Sequence, residues 1–338
     1  MNGAIKALAS YLPARVVTNE ELSRTVDTSD EWIRSHTGIA ERRLAGDEVA
    51  ASDLGILAAG KLLDREGIDP ESVDLVIGAT STPDYAPFPA TACIIQDRLG
   101  CSRAGAFDLQ AGCTGFVYAV EVAASMIGSG SARRVLVVGA EKLSALTNWN
   151  DRATCVLFGD GAGAALIEPA GSGGHEILAS TIRSDGSGDT ALIRSIGGSR
   201  HPFDPEKQRE EETKLTMDGK KVYLFAVDAL VRTVRDLAAK AVKLRLIEAG
   251  QESGAVGKID WIVPHQANLR IIEAAAKRLS LPLQRFYTNL DRYANTSAAS
   301  IPIALTEMEE RGLLERGALV LTVGFGAGLT YGGNLIRW

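Results

Sequence analysis

Ala106-Phe107-Asp108-Leu109-Gln110-Ala111-Gly112-Cys113-Thr114-Gly115-Phe116 is the stretch that decides the fold. It passes from strand to helix through a crowd of small residues. Gly112 and Gly115 permit a sharp turn and Phe116 opens a helix, so Cys113 sits at or near a helix N-terminus. There the unpaired N–H groups and the helix dipole favour thiolate over thiol, and a thiolate on such an elbow is an acyl-accepting nucleophile. The competing reading of Cys113 is a small packing residue, the common fate of a free cysteine. Cys93, Cys101 and Cys155 lack the glycine flanks and take that packing reading.

Outward from this turn, short β-branched runs recur at residues 75–79, 134–139, 260–263 and 318–324. Continuous apolar runs of this length fit strands covered on both faces. Alanine-rich segments between them, at 51–63, 90–99, 116–127, 223–244, 269–279 and 303–310, predict helices and hence a layered α/β fold. The halves rhyme. Strand 75–79, helix 90–99, strand 106–109, the cysteine turn and a helix are echoed by strand 261–263, helix 269–279, segment 286–287, an asparagine turn and a helix, which points to duplication. The reading divides the chain into a first half at 1–170, an excursion and linker at 171–222, and a second half at 223–338. Within the linker, 186–216 carries Gly-Ser turns and then Glu206-Lys207-Gln208-Arg209-Glu210-Glu211-Glu212; it reads as an exposed flap or a solvated loop.

At 338 residues the chain can build one large core or two packed domains. Hydrophobic residues at 46% and charged residues at 23% exclude a disordered chain. A net charge of −6, no basic stripe and few aromatics argue against nucleic acid as a partner. No run approaches a membrane span, the first residues do not resemble a secretory signal, and four cysteines without a C-x-x-C pair suit a reducing cytoplasm.

Of four histidines, His265 follows the 261–263 strand directly, in Pro264-His265-Gln266-Ala267-Asn268, at the strand end where open α/β sheets bind ligands. Asn295 opens a helix in Tyr293-Ala294-Asn295-Thr296-Ser297-Ala298-Ala299-Ser300-Ile301-Pro302. Taken singly, His265 reads equally as a core imidazole and Asn295 as an N-cap. Three polar side chains each at a strand-to-helix turn weigh against coincidence. The turn Gly324-Phe325-Gly326-Ala327-Gly328 suits close backbone approach to a substrate, with N–H groups free to hold an oxyanion. No second histidine or carboxylate lies at metal spacing, so no metal and no cofactor are expected.

These blocks, with Asp30-Glu31-Trp32-Ile33, Thr37-Gly38-Ile39, Glu41-Arg42-Arg43 and Phe158-Gly159-Asp160-Gly161-Ala162-Gly163-Ala164, follow one another in an order that resembles the β-ketoacyl-acyl-carrier-protein synthase III family. The resemblance spans essentially the whole chain. It implies a thiolase-like five-layer α-β-α-β-α fold of two duplicated halves, as a homodimer. It implies that Cys113 takes the acyl group of a primer acyl-CoA, the CoA thioester being a substrate. His265 and Asn295 then stabilise the enolate from malonyl-acyl-carrier protein as carbon dioxide leaves, and the N–H groups of Cys113 and Ala327 hold the second oxyanion. By the same resemblance Trp32 stacks on the CoA adenine with Arg152 over its other face, and Gly219, Asn268 and Phe325 border the pantetheine tunnel. Phe88 reaches across the dimer to the partner's acyl pocket, while Arg270, Lys277 and Arg278 form a basic face for the carrier protein. The chain departs from the family pattern at His36, where arginine is common, and at Ala294 and Ala327, which replace frequent glycines; segment 203–214 is longer than usual. A secondary-metabolite ketosynthase or acyltransferase using the same cysteine stays open, as does a Cys/His/Asn thioester hydrolase, and, furthest off, a non-catalytic acyl-binding scaffold.

Overall fold

The computed structural model describes residues 3–171, 173–247 and 252–338, which include every candidate site residue above. Its main sheet has nine strands. In chain order they are β1 (Gly3–Tyr11), β2 (Leu75–Ala79), β3 (Gly105–Leu109), β4 (Val135–Lys142), β5 (Asp160–Pro169), β6 (His175–Ser184), β7 (Trp261–Pro264), β8 (Leu319–Gly326) and β9 (Thr330–Arg337). Their spatial order is β7-β8-β9-β6-β1-β5-β4-β2-β3. The seven principal helices are α1 (Asp30–Thr37), α2 (Ala51–Glu66), α3 (Thr91–Arg98), α4 (Gly115–Ser129), α5 (Gly219–Lys243), α6 (Leu269–Leu279) and α7 (Ser300–Glu310).

The duplication is visible in the pairing. In the first half β2 runs parallel to β3 and β4, β4 runs antiparallel to β5, and β5 antiparallel to β1. In the second, β7 runs parallel to β8, β8 antiparallel to β9, and β9 antiparallel to β6, while a parallel bridge from Ile262 to Phe286 stands where β3 stands in the first. Among the described residues the two half-sheets pair strand to strand at Ala4 with Glu176 and Ile5 with His175.

Burial explains the layers. α4 and α7 lie between the two half-sheets, and their apolar residues, among them Phe116, Val117, Val120, Ile301, Leu305 and Met308, share one core with strands of both halves. Each such large side chain taken out of water contributes about 1.5–3 kcal/mol, which is why these two helices are apolar nearly all round. α2 and α3 cover the outer face of the first half, α5 and α6 that of the second. Five layers, α-β-α-β-α, result.

The 171–222 segment is not a plain excursion. It begins with β6, which pairs along its length with β9 and lies at the join of the halves. The rest returns as a two-stranded pairing of Leu192–Ile193 with Thr216–Met217, and the acidic run ends in an exposed turn at Glu210–Thr213. The 25-residue α5 starts at Gly219, four residues before the expected 223, because Asp218 caps it by accepting from Lys221 N–H.

Candidate active site

The parallel strands β2, β3, β7 and β8 all point their C-terminal ends at one region, and the turns that follow them carry the chemistry. After β3 the chain makes a one-turn 3-10 helix, Gly112–Thr114, and enters α4, so Cys113 does precede a helix N-terminus. Gly112 has φ +55°, and a Cβ there would sit 3.1 Å from Ala327 N. Gly326 at the end of β8 is as confined: its Cβ would lie 2.8 Å from Cys113 N and 3.2 Å from Cys113 Sγ. The cysteine turn and the glycine turn therefore close on each other. Thr330 Oγ1 pins them by donating to Ala111 O at 2.8 Å.

His265 follows β7 and is buried. Its Nδ1 lies 2.7 Å from Ser300 Oγ on the first turn of α7. Gln266 N–H donates to the same oxygen at 3.5 Å; a Ser300 hydroxyl that donates to Nδ1 leaves the imidazole hydrogen on Nε2. The ring packs edge-to-face on Phe325 at 5.3 Å. Burial pushes its imidazolium down to about 3, so the ring is neutral at physiological pH. The Gln266 side chain steadies this turn, donating to Pro264 O and Tyr287 O and accepting from Asn289 N–H.

Asn295 is clamped by its backbone to the first half: its N–H donates to Leu157 O at 2.9 Å and its carbonyl accepts from Gly159 N–H at 3.0 Å. Its Oδ1 accepts from Ser297 N–H at 2.8 Å, which fixes the amide orientation. Nδ2 then has no partner among the described residues and is a free donor. Ala294, one residue earlier, has φ +57° and ψ −155°, a region that suits glycine.

Cys113, His265 and Asn295 line one cavity together with Gly219, Asn268 and Phe325. A Cβ at Gly219 would meet only Met217 Cε, at 3.7 Å, so nothing within the chain demands glycine there. Asn268 caps α6, accepting from Arg270 N–H at 2.9 Å, and donates to His36 O at 3.1 Å. Behind Cys113 a second cavity of about 500 Å³ is bordered by Ala327 and by Leu143, Leu146, Ile193, Ile196 and Leu215. The excursion thus walls both spaces, through Leu192 and Met217 in the first and Ile193 and Ile196 in the second.

Burial works against the helix N-terminus at the Cys113 thiol. Burial pushes Cys113 up to about 12, with a hydrogen bond from Ser297 pulling the other way. Desolvation outweighs the helix dipole, whose reach is the first turn and whose usual effect is about 0.3–1 kcal/mol.

Trp32 and Arg152 meet directly: the guanidinium carbon is 4.9 Å from the indole centroid, and Arg152 donates to Asp27 O at 3.0 Å. A base between them needs two contacts of about 3.5 Å, about 7 Å in all, so the slot is closed without a ligand. His36 stacks on Trp32 at 4.3 Å with its Nδ1 against Trp32 O and so supports the indole. Phe88 borders neither cavity of its own chain and is 78% exposed. Arg270, Lys277 and Arg278 are exposed on α6. Arg278 reaches Asp228 of α5 at 3.3 Å, and Arg232 and Arg235 of α5 lie beside it, extending the basic face beyond α6. Ser300, Ser297 and Glu141 also went unassigned; the signal for Glu141 is an acidic residue closing the apolar run 135–140. Among the described residues no cluster of side chains suits a metal, and no helix is long and apolar enough to cross a membrane.

Residues 107–186 and 251–338 match the two parts of a family described as 3-oxoacyl-[acyl-carrier-protein (ACP)] synthase III and its C-terminal portion. A beta-ketoacyl-[acyl-carrier-protein] synthase III of Caldanaerobacter subterraneus subsp. tengcongensis is 46% identical over 335 residues, covering 99% of this chain and 97% of that one. The crystal structure of 3-oxoacyl-[acyl-carrier-protein] synthase III from Aquifex aeolicus VF5 superposes with a TM-score of 0.85 at 39% identity, covering 99% of this chain and 100% of that one. The priming beta-ketosynthase of the R1128 polyketide biosynthetic pathway does so with a TM-score of 0.86 at 34% identity, covering 99% and 96%. With the five-layer fold and the ordered cysteine, histidine and asparagine turns already in hand, the chain belongs to the 3-oxoacyl-[acyl-carrier-protein] synthase III family.

Proposed function

We propose that this chain is a decarboxylating condensing acyltransferase that begins fatty acid chains. Cys113 accepts the acyl group of a primer acyl-CoA, releasing CoA. Malonyl-acyl-carrier protein then enters the same tunnel. His265 Nε2–H and Asn295 Nδ2–H donate to its thioester oxygen as carbon dioxide leaves, and the resulting carbanion attacks the acyl-Cys113 carbonyl. The N–H groups of Cys113 and Ala327 hold the oxygen of that second intermediate, and 3-oxoacyl-carrier protein departs. One donor of this kind is worth about 3 kcal/mol.

The single observation that carries the reading is that Cys113, His265 and Asn295 border one cavity while the two donors have their inner sides occupied by Ser300 and Ser297. A neutral histidine whose outward nitrogen bears hydrogen suits an oxyanion donor. A papain-like hydrolase instead needs a basic imidazole beside the sulfur, and burial opposes that here.

Supporting the CoA path, Trp32 and Arg152 form a stacking pair, and Gly219, Asn268 and Phe325 border the tunnel. Arg270, Lys277 and Arg278 are proposed to dock the acidic carrier protein. The exposed edge strand β3, which carries Phe107, together with Phe88 standing out to solvent, is proposed as the homodimer face, with Phe88 entering the partner's acyl pocket. No resident cofactor is invoked, and a cytoplasmic site of action follows from the carrier-protein substrate. A second reading, priming of a polyketide, is favoured by the likeness to the R1128 ketosynthase and uses the same steps.

The test is intact-protein mass spectrometry after incubation with a panel of acyl-CoAs, followed by malonyl-acyl-carrier protein. A mass shift on Cys113 and then a 3-oxoacyl carrier product support condensation. Free acid as the product, or acylation that survives Cys113→Ala, refutes it.

A further inference from the structure

His265 and Asn295 stand on two different turns, and a polar chain ties each turn to the same carboxylate. Asn289 opens the one-turn helix Leu290–Tyr293, which leads through Ala294 into Asn295. An asparagine at such a position ordinarily accepts from the backbone of its own helix. Asn289 makes no such cap. Its amide donates instead to Glu307 Oε2 at 2.9 Å, and its backbone N–H donates to Gln266 Oε1 at 3.0 Å. Gln266, the residue after His265, donates from Nε2 to Pro264 O at 2.7 Å and to Tyr287 O at 3.1 Å. Pro264 O belongs to the peptide group that enters His265, so the path Glu307–Asn289–Gln266 ends on the histidine turn. Gln266 and Asn289 are both buried, where each polar atom needs its partner.

The other oxygen of Glu307 serves the asparagine turn. Oε1 accepts from Arg292 Nη2, and Arg292 Nη1 donates to Tyr293 Oη at 3.0 Å. Arg292 and Tyr293 both belong to the one-turn helix before Asn295. Arg311 Nη1 lies 3.7 Å from the same carboxylate oxygen and donates to Tyr287 Oη at 3.2 Å. Charge-assisted bonds of this kind are the stronger and more directional ones. Glu307 rides on α7, seven residues after Ser300, and two helical turns bring the two onto one face. From that face Ser300 Oγ meets His265 Nδ1 at 2.7 Å while Glu307 holds both chains. The cysteine turn is fixed elsewhere. Thr330 Oγ1 of β9 donates to Ala111 O at 2.8 Å, and Thr114 Oγ1 donates to Thr330 O at 3.2 Å.

We infer that Glu307 is a positioning residue that sets His265 and Asn295 against each other as a pair of donors. One carboxylate holds the histidine turn through Asn289 and Gln266 and the asparagine turn through Arg292, on the same helix that carries the imidazole's partner Ser300. The two donors must meet one thioester oxygen, and such pairs work only when held within about 0.5 Å of the productive geometry. Glu307 itself borders neither cavity and acts only through these neighbours. Its loss is therefore felt when the enolate forms. Acylation of Cys113 is spared, because the cysteine turn hangs on other bonds.

This rests on His265 and Asn295 being the donors of the proposed decarboxylation, and two readouts separate the claims. The variants are Asn289→Ala, Glu307→Ala, the two combined, and Glu307→Gln. Arg292 and Arg311 keep 40% and 54% of their side chains exposed, so water can serve them when the carboxylate is gone, and the glutamine variant preserves shape. A displacement of about 1 Å costs about 100-fold, so each alanine variant should slow decarboxylation of malonyl-acyl-carrier protein about 10- to 100-fold while acylation of Cys113 by acetyl-CoA stays within about twofold. The double variant should be no slower than Glu307→Ala, because the Asn289 arm is already cut there. Glu307→Gln keeps an oxygen for Asn289 and should recover about tenfold over Glu307→Ala. Equal slowing of both steps, wild-type decarboxylation in the alanine variants, or losses that multiply in the double variant overturn the inference. The second readout needs no turnover. The His265 imidazole Cε1–H NMR resonance, identified by its absence from His265→Ala, should shift or broaden in both single alanine variants, and an unmoved resonance overturns the inference. Wild-type protein that takes an acyl group yet never decarboxylates malonyl-acyl-carrier protein refutes the proposed function, and the resonance still decides the positioning.

Discussion

The neutral imidazole of His265 makes a stability signature that can be measured without any substrate. Burial lowers its pKa from 6.5 to about 3 in the folded chain, whereas the unfolded chain titrates near 6.5. Between those values the unfolded state binds a proton that the native state refuses. The stability held by this group is therefore whole above pH 6.5 and drains away as pH falls. Integrating from pH 7 to pH 5 with these two values gives a loss of about 2 kcal/mol. Other groups shift the total: Glu141 and Asp160 have raised pKa values and work in the opposite direction as pH falls. His265→Ala isolates the imidazole, because the cavity it leaves costs the same at both pH values. Denaturant unfolding of wild type and variant at pH 7 and pH 5 should show wild type losing about 2 kcal/mol more than the variant. Equal losses would mean an imidazole that titrates normally in the folded state. That would remove the basis for a neutral Nε2–H donor, and a step near pH 6.5 in the decarboxylation rate would say the same.

Ser300→Ala removes the hydroxyl at 2.7 Å from His265 Nδ1; malonyl decarboxylation should slow about tenfold while acylation of Cys113 is unchanged, and equal slowing of both steps would contradict the tautomer argument. Ala294→Gly relieves φ +57° and should stabilise the chain by about 1 kcal/mol, read as a higher midpoint in thermal unfolding; a lower midpoint would mean the alanine side chain contributes more packing than it costs in strain. Trp32→Ala removes a stacking surface worth about 1–3 kcal/mol, so KM for acyl-CoA should rise about 5- to 150-fold with no change for a short pantetheine thioester, and parallel changes for both would move the adenine site elsewhere.

The elements legible in the sequence are those whose burial is uniform. β2 and α6 match their expected bounds, since each is a short apolar stretch with clear stops: Asp74 and Thr80 around one, the Asn268 cap and Ser280 in αL around the other. The antiparallel strands were less visible. β5 reads Asp160-Gly161-Ala162-Gly163-Ala164-Ala165, a composition more like a helix, because α7 lies against it; a Cβ at Gly163 would sit 2.7 Å from Pro302 Cβ. β6 hid inside an apparent linker because much of it is only half-buried, with Ile182 exposed. At the site, residue types and turns marked Cys113, His265 and Asn295. What could not be read was the second rank, Ser300, Ser297 and Glu141, since contacts across 35 and 157 residues of sequence leave no local pattern. The burial that pushes the Cys113 thiol up was hidden for the same reason. The helix dipole is local and readable, while desolvation comes from the whole fold.

On the proposed mechanism, two cavities let one sulfur serve two thioesters in turn. Cys113, Phe158 and Leu192 border both spaces, so the sulfur sits at their junction and not at a blind end. An acyl group delivered through the first cavity can lie in the second once bonded to sulfur, among Leu143, Leu146, Ile193 and Ile196, where each buried CH₂ contributes about 0.8 kcal/mol. That clears the tunnel for the second thioester, whose carbonyl must reach His265 and Asn295 on the first side. The proposed donors for the two oxyanions are accordingly split: His265 and Asn295 border the entry space, while Ala327 borders the acyl space with Gly112. Leu192 borders both spaces and the next residue of the same short strand, Ile193, borders the second. A single element of the excursion therefore walls both spaces, and on the proposed mechanism a substitution at Leu192 would alter both the acyl space and the entry space.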